Sequence, residues 1–189
     1  MCSSDLMLLP ADSKVDPAFG ARALYEADLL VRVSSAAINQ ATTPLQVLAA
    51  IDQVIPFIEL PDLVVQAPPK LNGAAIAAIN VGARLGVTGE PIAVEPTQAF
   101  SDRLRDMEVL LMANGAEVDR GKGSDVLEHP LNAVVWLAKD LAKQGLALKP
   151  GDLVSLGSFS KLMPPKPGQA VQVIYQGLPG TPMVAVNFK

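Results

Sequence analysis

A chain of 189 residues, half of them hydrophobic, is long enough for one domain with a sizeable core. A formal net charge of −4 leaves no basic footprint for nucleic acid, and no apolar run reaches the roughly 18 residues of a membrane span. A single cysteine excludes an intrachain disulfide.

In chain order, residues 1–6, Met-Cys-Ser-Ser-Asp-Leu, match the translation of a short-read sequencing adapter end taken from its GTG. They are expected to be a non-native leader, with the natural frame continuing upstream; the alternative is a genuine polar N-terminus. On the first reading Cys2 is foreign, any signal peptide has been lost, and one domain spans residues 7–189. LMLLPADSKVDP reads as a short strand followed by a turn at Pro10, Asp12 and Pro17. ALYEADLLVRVSSA reads as a long strand. TTPLQVLAAIDQV has a Thr-Pro start and apolar residues at helical spacing, so a helix is expected there. IPFIELPDLV is a strand and turn, QAPPKLNG a loop, and AAIAAINVGARLG a short helix running into a Gly-rich connection. EPIAVEPTQAFSDRLRDMEVLLMANGAEVDRGKG holds two strands about the hairpin signal Asn114-Gly115. HPLNAVVWLAKDLAKQG is the clearest helix, with Pro130 in its first turn and Gly145 as its stop. PGDLVSLGS, AVQVIYQG and TPMVAVNF are strands. Strands dominate, with two or three helices outside, and no repeat or low-complexity segment is visible.

Three acids stand out. Glu26 and Asp28 lie two apart in an apolar strand, so their side chains share one face. Glu59 ends a second apolar run. Two neighbouring carboxylates are costly to desolvate unless a cation lies between them, and an oxygen-only ligand set suits Mg²⁺ or Mn²⁺. The plainer alternative is that all three are strand-end acids facing water. No G-x-G-x-x-G or G-x-x-x-x-G-K supports nucleotide binding, and one histidine supports no Ser-His-Asp arrangement.

The order E-x-D, a thirty-one-position step, then Glu in P-x-I-E resembles the 2-keto-4-pentenoate hydratase branch of the fumarylacetoacetate hydrolase superfamily. That branch usually reads E-x-E and P-A-x-E. AAIN, ending at Asn80, is similar to its A-D-N segment, with Ile79 in place of the aspartate. The block GKGSDVLEHPLNAVVWLAKDLAKQGLALKPGDLVSLGS resembles its most recognisable stretch, and the tail resembles its closing strands. The resemblance runs from about Leu9 to Lys189, and family members carry a further N-terminal region before that point.

The resemblance implies a strand-rich α+β fold with a rolled, mixed β-sheet and a few outer helices. It implies a divalent metal, Mg²⁺ or Mn²⁺, on Glu26, Asp28 and Glu59. Asp28 stands where the family usually has Glu, one methylene longer. Catalytic roles fall to Lys70 and Asn80, and substrate contacts to Lys70 and Ser158. The alternatives are a solvated loop lysine at Lys70 and a structural cap at Asn80. His129, in E-H-P at a helix start, is expected to orient backbone, and Trp136 to lie in the core. The implied activity is addition of water to a 2-hydroxy-2,4-dienoate, giving a 4-hydroxy-2-oxo acid in aromatic catabolism. The alternatives are oxalocrotonate decarboxylation, acylpyruvate C–C hydrolysis, or a non-catalytic oxo-acid binder. The implied setting is a cytoplasmic homo-oligomer with a small 2-oxo acid as its partner, and neither nucleic acid nor membrane.

Overall fold

The computed structural model describes residues 7–64 and 71–189. The expected leader at residues 1–6 and the loop position Lys70 lie outside the described residues. Two mixed sheets form the body. In the first, β1 (Met7–Pro10), β5 (Leu85–Thr88), β4 (Ile51–Leu60), β3 (Glu26–Val33) and β9 (Leu153–Ser155) lie side by side in that order. β6 (Ile92–Ala93) also pairs with β4. The second runs β2 (Ser13–Val15), β11 (Met183–Phe188), β10 (Ala170–Gln176), β7 (Glu108–Ala113), β8 (Ala116–Lys122). The β1–β5 and β2–β11 pairs are parallel and the others antiparallel.

The sheets pack face to face through the residues that alternation places inside. Ala27, Leu29, Val31 and Val33 of β3 join Val54 and Ile58 of β4. Opposite them stand Val171, Val173 and Tyr175 of β10 and Val184, Val186 and Phe188 of β11. The other face of the first sheet carries a separate apolar group, Leu30, Ile55 and Phe57, in line with the acids.

Helices α1 (Pro44–Leu48), α3 (Gln98–Asp106) and α4 (Asn132–Lys143) gather against the same core, while α2 (Gly73–Ala78) buries no side chain among its residues. Gly145 ends α4 as expected: at φ +70° its N–H reaches Ala142 C=O (3.1 Å), and Leu146 N–H reaches Leu141 C=O (3.0 Å). The Asn114-Gly115 turn has φ of 50° and 79° and closes the β7–β8 hairpin.

Four expectations change. The helix expected over TTPLQVLAAIDQV lasts only to Leu48; Thr43 caps it, but from Ile51 the chain pairs with β3. Long-range pairing of Ile51, Val54 and Ile55 outweighs local helical spacing. The segment before β7 holds a helix, α3, capped by Thr97 with Phe100 and Leu104 buried four apart. The Gly-rich connection after α2 runs into a strand, β5, held between β1 and β4. Trp136 is not core: it is 61% exposed, because α4 buries Val134, Val135 and Ala138 instead.

Candidate active site

The strand ladder sets the geometry. Glu26 opens β3, Glu59 is the penultimate residue of β4, and the two are direct register partners. As register partners on neighbouring strands, their carboxyls adjoin, and each raises the cost of ionising the pair. Burial, followed by repulsion from Asp28 and Glu26, pushes Glu59 up to about 9. Burial is also the main cause that raises Glu26 to about 7, against a nearby Ser158 hydroxyl that favours its charge. That hydroxyl has two acceptors in reach, Glu26 and the Ser160 carbonyl (2.6 Å).

Asp28 lies on the same strand face but is fully buried. Its carboxylate accepts from the Ser155 hydroxyl, from Leu29 N–H (2.5 Å) and from Gly157 N–H (3.1 Å). Burial raises its pKa to about 6 despite these donors. Behind it, the Tyr175 hydroxyl crosses from the second sheet. It donates to Asp28 C=O and accepts from Phe57 N–H (3.0 Å), so it bridges partner residues of the β3–β4 ladder.

A cavity of about 370 Å³ opens on this face. Glu26, Glu59, Asn80, Ser155 and Ser158 are its polar lining, and Leu30, Phe57, Leu127, Trp136 and Leu153 are among its apolar walls. Asn80, Val81 and Leu127 line it at φ of 51°, 58° and 50°, a region that β-branched and bulky residues seldom occupy. Such strain concentrates at functional sites.

Of the residues singled out from sequence, Glu26, Glu59, Asn80 and Ser158 come together at the cavity, and Lys70 lies outside the described residues. Asp28 stands behind the wall with its oxygens held by protein donors. As they stand, no three acid, histidine or cysteine side chains among the described residues close around one point tightly enough for an ion. The donor set nonetheless suits a hard cation: Glu26 and Glu59 are register partners whose carboxyls burial makes costly to ionise, a cost that a divalent ion would offset, and Asp28 follows on the same strand face. His129 is buried and orients backbone, accepting from Leu131 N–H (3.1 Å) and meeting Ser101 (3.1 Å). Burial lowers its pKa. Sequence reasoning missed Ser155, Leu127 and Tyr175. Ser155 lies three residues before Ser158 in the same block, whereas a lone tyrosine or leucine carries no local signal.

The family model for the fumarylacetoacetate (FAA) hydrolase C-terminal region matches residues 5–181. The chain belongs to this family. It is 35% identical over 133 residues to 4-oxalocrotonate decarboxylase of Pseudomonas sp. (strain CF600), covering 70% of this chain and 48% of that one. It is 34% identical over 134 residues to 2-oxo-hept-4-ene-1,7-dioate hydratase of Escherichia coli, covering 67% and 48%. It thus spans about half the length of these curated relatives. The solved 4-oxalocrotonate decarboxylase from Pseudomonas putida G7, complexed with magnesium and adipate, superimposes with a TM-score of 0.82 at 28% identity over 97% of this chain and 66% of that one. No helix among the described residues of this family member is long and apolar enough to cross a membrane.

Proposed function

We propose that this domain is a divalent-metal-dependent hydro-lyase that adds water to a 2-hydroxy-2,4-dienoate, giving a 4-hydroxy-2-oxo acid in aromatic catabolism. The observation that carries the reading is the Glu26–Glu59 register pair, two carboxyls from facing strands that line a largely apolar cavity. Glu26 and Glu59 would hold Mg²⁺ or Mn²⁺, with Asp28 as the third ligand once it is released from Ser155. When bound, the metal supplies Lewis acidity toward the substrate's carboxylate and 2-oxygen. Asn80 and Ser158 line the same cavity and would hydrogen-bond those oxygens. Lys70 is proposed to meet the substrate's negative charge. The aliphatic and aromatic walls hold the diene away from bulk water. A hydratase relative and magnesium in a related decarboxylase support this reading. Similarity to decarboxylases favours a second one, loss of CO₂ from an oxalocrotonate.

The test is conversion of 2-hydroxypenta-2,4-dienoate by the full chain, followed by loss of diene absorbance with and without Mg²⁺ or Mn²⁺. The reading requires metal-dependent loss and a 4-hydroxy-2-oxo acid as product. A folded sample that shows neither conversion nor a metal-induced thermal shift rejects it.

A further inference from the structure

The turn after β9 is built around Asp28. The chain from Ser155 onward runs along β3: Ser155 is the register partner of Leu30, Leu156 N–H donates to Leu29 C=O (3.0 Å), and Phe159 N–H donates to Ala27 C=O (2.8 Å). Between those two bonds the chain turns at Gly157 and Ser158, with Gly157 at φ +106°, a region that favours glycine. The turn closes on the Asp28 carboxylate, which accepts from the Ser155 hydroxyl and from Gly157 N–H (3.1 Å). Ser155, Leu156, Gly157 and Ser158 all line the cavity, whereas Asp28 is fully buried and does not. Its charge nonetheless makes both Glu26 and Glu59 harder to ionise, so the three acids act on one another.

Two of the donors on Asp28, Leu29 N–H and Gly157 N–H, belong to the backbone; the Ser155 hydroxyl is the side-chain donor. Hydrogen bonds to a charged group are strong, and an ion that needs this carboxylate must displace them. A ligand that binds one conformer has its apparent affinity cut by the fraction of molecules in that conformer. Resting on the reading of Glu26, Glu59 and Asp28 as a divalent-metal site, we propose that Ser155 is a positioning residue that holds Asp28 out of the cavity and sets the affinity for the ion. Mg²⁺ or Mn²⁺ takes the carboxylate from Ser155, and the Gly157–Ser158 turn gives up its anchor as the ion enters. The freed Ser155 hydroxyl already lines the cavity, where water replaces its lost acceptor. The same turn carries the Ser158 hydroxyl beside Glu26, so loading the ion loosens a group next to a second ligand.

The test is calorimetric titration of the full chain with Mg²⁺. Ser155→Ala removes the competing donor and should bind Mg²⁺ about tenfold more tightly than the parent, whereas Ser155→Thr, which keeps the hydroxyl, should bind as the parent does. A second measurement needs no substitution: by NMR, saturating Mg²⁺ should speed hydrogen exchange at Gly157 N–H in the parent chain, while amides of the β3–β4 ladder slow or hold. Binding by Ser155→Ala that is equal to or weaker than the parent's, or a Gly157 amide as protected with Mg²⁺ as without it, overturns the inference and leaves the metal-dependent reading standing. If Ser155→Ala does not fold, the Gly157 amide decides alone. If the folded parent chain binds neither Mg²⁺ nor Mn²⁺, the metal-dependent reading itself fails, and the inference with it.

Discussion

Tyr175→Phe removes one oxygen from the place where the two sheets touch the acid site. The hydroxyl is fully buried, and without it Phe57 N–H and Asp28 C=O each lose a hydrogen bond in the interior. At up to about 1.5 kcal/mol for each bond, a loss of ~2–3 kcal/mol is expected. At roughly 2–4 °C per kcal/mol for a chain of this size, the melting temperature should fall by about 5–10 °C. Tyr25→Phe is the control. Its hydroxyl is equally buried, yet its partners are a Met163 sulfur at 3.7 Å and the Gln169 amide at 3.5 Å, and its loss should cost under ~1 kcal/mol. Urea titrations of both variants against the parent chain measure the difference. If Tyr175→Phe costs no more than Tyr25→Phe, the hydroxyl is not what joins the ladder at Asp28 and Phe57.

Three further outcomes are expected. Mg²⁺ at about 100 times its dissociation constant should stabilise the fold by ~2.7 kcal/mol, whereas Glu59→Gln should keep its metal-free stability and lose most of that response in thermal shift. In chelator, stability should fall as pH rises from about 5 to 9. The folded carboxyls of Glu26 and Glu59 hold protons more tightly than their usual values, so folding is favoured where they are protonated and loses that advantage as they ionise. The Mg²⁺ shift should grow over the same range, and a flat profile in chelator would contradict the burial of the two carboxyls. Gly121→Ala should lower stability by ~3 kcal/mol, because a Cβ there collides with the Phe159 carbonyl oxygen of the loop carrying Ser158; a silent substitution in urea melts would mean that the loop is free to move.

Local chemistry made parts of this molecule legible. The i, i+2 spacing gave Glu26 and Asp28 one strand face, Asn114-Gly115 marked a hairpin, and Gly145 marked a helix end. What was hidden depends on residues far apart in the chain. Glu26 faces Glu59 because β3 and β4 pair in one register, which no window of sequence contains. The donors that occupy Asp28 come from Ser155 and Gly157, more than a hundred residues away. Trp136 has apolar neighbours in sequence, but the helix turns its other side inward, and the ring becomes cavity wall. Thr97 was a readable cap before Phe100 and Leu104, so α3 was missed despite an available signal.

The acids also proofread the fold. Strand faces alternate, so a one-residue slip of β3 against its neighbours would turn its two sides over. Ala27, Leu29, Val31 and Val33 would leave the space between the sheets, and Glu26, Asp28 and Arg32 would enter it. Each unpaired charge trapped there would cost several kcal/mol, on the order of ~5 for a broken buried pair, against a typical domain stability of about 5–15 kcal/mol. The carboxylates that strain the native ladder by mutual repulsion thus penalise the shifted ladder more heavily. Chains in which Glu26 and Asp28 are replaced by apolar residues should gain misregistered, aggregation-prone partners, so the chemistry on one side of the sheet also acts as a quality check on its assembly.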